Sequence, residues 1–171
     1  MIGIGQKVPL LRTPAFMQGA LTLFDLSAYR HRWLALCSLP NFGLLEATLL
    51  DRQRDDFDRE GTSLLALCPD APTFHASWIR QTPHVRVPIL ADPLGRLHRL
   101  LGIGRESVHG HCGSVLIDPS GVLRCRLAHT LNGRGINAIK EALIANQRHP
   151  SSRTEGSDVL IAKGAFAPCI R

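Results

Sequence analysis

Gly113-Ser114-Val115-Leu116-Ile117-Asp118-Pro119-Ser120-Gly121-Val122-Leu123-Arg124 is the stretch that decides the fold. Two alternating runs flank Asp-Pro-Ser-Gly. Asp at the first turn position, Pro at the second and Gly at the fourth suit a type I turn, so the segment predicts a β-hairpin. Working outward, strand and helix patterns alternate. Ala20 to Leu23 alternates and precedes Asp25-Leu26-Ser27. Trp33 to Leu39 is a continuous apolar run, the mark of a strand covered on both faces. Gly43 to Asp58 carries Leu45, Leu49 and Phe57 at helical spacing, and Gly61 ends it. Ser63 to Cys68 is a second buried strand. Ala71 to Gln81 is helical, with Asp70 and Thr73 as caps. Val87 to Leu90 is a short strand, Leu94 to Leu101 a short helix, and Gly135 to Gln147 a final amphipathic helix.

Strands alternating with helices, then a hairpin, then a helix, match an α/β sheet of the thioredoxin-like kind. A chain of 171 residues suits one domain with a real core. Its longest apolar runs are strand length, which predicts no membrane span. Met1 to Lys7 lacks the order of a secretion signal, so a cytoplasmic location is expected. A net charge of +6 with scattered arginines and only 5% aromatics gives no stacking platform, so nucleic acid is not the expected partner. An acidic protein partner suits that charge better. The five cysteines (Cys37, Cys68, Cys112, Cys125 and Cys169) are odd in number and lack C-x-x-C spacing. This opposes a disulfide framework, a zinc ribbon and a thioredoxin-type dithiol. Buried free thiols are the expectation, with core packing the role of Cys37 and Cys68. Trp33 and Trp78 are expected in the core or an interface.

The run Leu36 to Thr48 leads from a strand into a helix and resembles the active-site loop of the peroxiredoxins, the alkyl hydroperoxide reductase and thiol-specific antioxidant family, whose signature there is Pro-x-x-x-Thr-x-x-Cys. Further resemblance lies in Ile4 to Pro9, Leu21 to Leu26, His75 to Trp78, Val87 to Asp92, Leu101 to Ile103 and Val115 to Gly121, in the family's order. The resemblance implies a thioredoxin-like fold of the peroxiredoxin type over residues 1–148. His149 to Ile161 is similar to the family's C-terminal arm, with Arg153 in place of Trp. That implies an arm over 149–171 packed on a partner subunit, and hence a homodimer or a ring of dimers. Cys169 lies past this match.

The catalytic side chains of the family are replaced. With one residue deleted after Pro40, Gly43 stands for the threonine and Glu46 for the peroxide-reducing cysteine; without the deletion the two positions are Leu44 and Ala47. The family's arginine falls six residues before the hairpin Asp, and here that residue is Cys112. Peroxide reduction needs a low-pKa thiolate and donors for the departing oxygen. Pro40, Gly43, Glu46, Cys112 and Arg134, the last at the family's Leu-Pro-x-Gly-Arg turn, therefore outline a degenerate pocket. Glu46 is either an ion-pair partner of Arg134 mimicking a thiolate or sulfinate, or a solvated first-turn residue favoured by the helix dipole.

Two other chemistries compete with loss of function. Cys112 follows His109-Gly110-His111, and an imidazole could activate it as a relocated nucleophile. His109, His111 and Cys112 also offer three metal ligands, a weak set without a fourth ligand and outer support. The expected reading is a peroxiredoxin-like protein, without a cofactor, that serves as an interaction or assembly subunit in a larger complex. The alternative is a thiol peroxidase using Cys112, or Cys37.

Overall fold

A computed structural model describes residues 1–39, 44–71, 85–104, 111–149 and 160–161. Its elements are β1 (Arg12–Met17), β2 (Ala20–Asp25), a 3-10 turn (Leu26–Tyr29), β3 (Trp33–Ser38), α1 (Leu44–Arg59) and β4 (Thr62–Cys68). They continue with β5 (Ile89–Ala91), α2 (Arg96–Leu101), β6 (His111–Ile117), β7 (Leu123–Thr130), α3 (Gly133–Arg148) and β8 (Leu160–Ile161). All described strands join one sheet, ordered β2-β1-β5-β4-β3-β6-β7-β8. The pairs β3·β4 and β4·β5 are parallel, whereas β3·β6 and β6·β7 are antiparallel. This is the mixed thioredoxin-like sheet that the alternation predicts.

Central β3 explains why both faces are covered. Its side chains alternate: Ala35 and Cys37 join the cluster under α1 and α3, while Leu34 and Leu36 join the cluster under α2. Ala47, Leu50 and Phe57 of α1 meet Ile136, Ile139 and Leu143 of α3 on the first face. Phe24, Leu26, Leu97 and Leu101 fill the second. Each fully buried large aliphatic contributes roughly 1.5–3 kcal/mol. The N-terminal segment is fastened to the second face by a buried arginine. Arg126 Nε donates to the Leu101 carbonyl at 2.6 Å, and its terminal nitrogen donates to the Ile2 carbonyl.

The hairpin forms as the sequence predicts. Gly121 N–H donates to the Asp118 carbonyl at 2.8 Å, and the Asp118 carboxylate accepts from Ser120 N–H and Val122 N–H at 2.9 Å each. Gly121 sits at φ +82, which a side chain would resist.

Several boundaries depart from expectation. The strand expected at Val87–Leu90 is Ile89–Ala91. The carboxylate of Asp51 captures the N–H groups of Arg86 and Val87, and Pro88 has none, so pairing starts later. The helix expected from Leu94 begins at Arg96, because Gly95 takes φ +64 and Asp92 accepts from Arg96 N–H at 2.8 Å. Strand β1 carries Pro14 and has no clean alternation, so it was not expected. The tight turn at Gln18 (φ 52) and Gly19 (φ 80) pairs it with β2. Strand β8, inside the expected arm, pairs with β7 of its own chain through Leu127↔Leu160 and Ala128↔Ile161. Pro40, Gly43, His109, Arg153, Cys169 and the expected helix beyond Ala71, with His75 and Trp78, lie outside the described residues.

Candidate functional site

Three elements converge where the resemblance puts the active site. Glu46 stands half-buried in the first turn of α1. Cys112 lies near the start of β6 with 7% of its surface exposed. Leu131 follows the end of β7, just before Asn132, whose side chain caps α3 by accepting from Gly135 N–H at 3.0 Å. Burial pushes the Cys112 thiol up to about 11, and the Glu46 charge adds to the rise; the Leu131 N–H partly opposes them.

Arg134 lies at the start of α3. It is exposed on the first turn of α3, and among the described residues no ion pair joins it to Glu46. The expected mimicry of an oxidised or ionised cysteine by a Glu46–Arg134 pair is therefore not formed in this conformation. The backbone of His111 begins β6, opposite Thr130. No group of three His, Cys, Asp or Glu able to hold a metal ion occurs among the described residues.

Beneath Cys112 lies a polar relay that the sequence did not announce. Cys37 and Ser114 are facing residues across β3 and β6, and Cys112 faces His129 across β6 and β7. Ser114 Oγ is 2.7 Å from His129 Nε2, and His129 Nδ1 donates to the Thr130 carbonyl at 3.1 Å. The imidazole is thereby set so that Nε2 accepts from the serine hydroxyl. Burial drives the Cys37 thiol up to about 12, a hydrogen bond with Ser114 draws it back, and nearby Cys112 raises it. The remaining described thiols behave alike: burial pushes Cys68 up to about 12 and Cys125 up to about 11. At neutral pH a thiol near 11 is ionised in about one molecule in 10⁴, against a few per cent for an ordinary cysteine.

On the other face of the sheet a second relay crosses the end of β3. Asp92 Oδ2 accepts from His98 Nδ1 at 2.7 Å, and Ser38 Oγ lies 3.0 Å from His98 Nε2. The order Ser–His–Asp matches a nucleophilic triad, but Ser38, His98 and Asp92 are 3%, 1% and 4% exposed. Closed from solvent, the relay pins the end of β3 to the β5–α2 corner. It satisfies buried polar groups. The residues lie too far apart in sequence for a spacing motif to reveal them.

With this geometry in hand, likeness to known proteins is specific. The profile of the AhpC/TSA family matches residues 4–126. The chain belongs to the AhpC/TSA family. Among its peroxiredoxin relatives, the selenocysteine-containing peroxiredoxin PrxU of Peptoclostridium acidaminophilum is 27% identical over 135 residues, covering 72% of this chain and 66% of that one. A peroxiredoxin of Ignicoccus hospitalis is 33% identical, covering 70% of this chain and 56% of that one. The chain thus spans between half and two thirds of the length of these two peroxiredoxins. The crystal structure of Enterococcus faecalis AhpC superposes with a TM-score of 0.74 at 20% identity, over 92% of this chain and 99% of that one. The AhpC/TSA match spans Glu46 and Cys112 but ends before Arg134 and the arm. No described helix is long and apolar enough to cross a membrane.

Proposed function

We propose that this peroxiredoxin-family protein no longer reduces peroxide and serves in the cytoplasm as an interaction or assembly subunit. Under this reading it is a homodimer, alone or closed into a ring, within a larger complex. The observation that carries the proposal is the Glu46–Cys112 pair. The resemblance sets a carboxylate at the nucleophile's place in one register of the loop, and burial together with the Glu46 charge disfavours the Cys112 thiolate. Peroxide attack requires a thiolate, and every described cysteine is shifted away from one. The donors that would stabilise the leaving oxygen are replaced as well, Cys112 standing where the family's arginine belongs.

The test is hydrogen peroxide consumption by the full chain with dithiothreitol as reductant, alongside Cys112→Ser. No turnover above buffer in either protein is the expected result. Turnover that disappears in Cys112→Ser would overturn the proposal and establish the thiol peroxidase with a relocated nucleophile.

A further inference from the structure

A groove of about 350 Å³ runs between β1 and α2, walled by Leu11, Pro14, Leu94, Leu97 and Leu100. It exists because β5 is short. β5 pairs with β1 only at Ala15 and Phe16, so among the described residues no strand pairs with Arg12 to Pro14 on that side. Thr13 closes the floor by donating its hydroxyl to the Ala91 carbonyl at 2.9 Å. Leu10 and Leu94 stand 64% and 60% exposed, so the apolar surface continues from the groove onto its lips.

Charge at the rim is one-sided. Arg12 and Arg96 line the groove, and Arg99 is exposed on the same short helix as Arg96. The nearby carboxylates are already engaged. Asp25 is held by Arg12 and Ser27, and Asp92 is buried against His98 and the α2 backbone. Among the described residues no carboxylate pairs with Arg96 or Arg99.

We propose that this groove docks an acidic amphipathic helix of a partner protein. Leucine-type side chains of the helix fill the groove, and its flanking carboxylates meet Arg96 and Arg99. The occupant enters by side chains and not as an added strand, because Pro14 removes a backbone donor from the open edge of β1. A small amphiphile in the groove would leave Leu10 in water, whereas a helix laid across the groove covers it. The inference rests on the non-enzymatic reading only in that such a reading calls for a partner.

A fluorescent helical peptide with leucines at i, i+3, i+4 and i+7 and glutamates alongside is titrated with the full chain, and its lysine counterpart serves as comparison. Saturable anisotropy with the acidic peptide alone is expected. Arg96→Glu and Leu94→Glu should each weaken it about tenfold or more. Leu94→Ser and circular dichroism of all variants guard against misfolding. No saturation, equal binding of the lysine peptide, or indifference to both variants overturns the proposal. So does complete displacement by decanoate at concentrations that saturate the groove directly, or self-association in sedimentation that Leu94→Glu abolishes. Peroxide consumption measured on the same samples keeps the two proposals apart: turnover refutes the non-enzymatic reading while the peptide decides the groove.

Discussion

Replacing Glu46 by Gln tests how the old active site is wired. The carboxylate raises the Cys112 thiol, second only to burial, so removing its charge must lower it. One nearby carboxylate is worth on the order of one pKa unit, since burial is the larger cause. That drop yields about ten times more thiolate, while the weaker basicity makes each thiolate roughly threefold less nucleophilic. Alkylation of Cys112 by iodoacetamide at pH 8 should therefore speed up about threefold. Cys37, fully buried and bonded to Ser114, should hardly change and serves as an internal reference. Site-resolved mass spectrometry reads both. Stability should fall by no more than about 0.3–1 kcal/mol, the worth of a first-turn carboxylate on the helix dipole. An unchanged or slower rate at Cys112 would show that the charge of Glu46 does not reach the thiol. A hundredfold rise would show that burial is not what holds it protonated.

Three further substitutions probe the frame. Asp92→Ala removes the acceptor for His98 Nδ1 and for two α2 N–H groups, so it should cost about 1–3 kcal/mol or more in urea unfolding. Gly135→Ala should be strongly destabilising in a thermal melt, because a Cβ there would collide with the Thr130 carbonyl and crowd His129 Nδ1 at 3.0 Å. Asp118→Asn should cost about 1–3 kcal/mol at pH 7. Burial pushes the Asp118 carboxyl up, but Ser120, Val122 N–H and Arg124 outweigh it and hold it below the usual range. A carboxyl depressed on folding stabilises above its ordinary pKa near 4 and loses that contribution as pH falls. The wild type should thus lose urea resistance between about pH 5 and pH 2, and Asp118→Asn should lose less over the same window.

Local chemistry was legible where neighbours in sequence are neighbours in space. Asp118-Pro119-Ser120-Gly121 announced its own turn, and the unbroken run at Trp33 announced a strand buried on both faces. Cys112 was read as a replacement from its spacing to Asp118, and Glu46 from one placement of the deletion after Pro40, the other register giving Ala47; nothing local says that Glu46 acts on Cys112. What stayed hidden depends on long-range pairing. Asp51 postpones β5 by holding backbone 35 and 36 residues away. Ser38 meets His98 across 60 residues, and Ser114 meets His129 across 15. The groove beside Arg12 follows from how few residues of β5 pair with β1, which no residue type signals.

The most direct test of the central claim follows each cysteine after mixing the reduced full chain with a slight excess of hydrogen peroxide, using thiol-trapping mass spectrometry over seconds. Slow, unselective oxidation of all five thiols, Cys169 included, is the predicted result for a scaffold that has left peroxide chemistry. Rapid and selective oxidation of Cys112 would contradict it and identify the nucleophile of a working peroxidase.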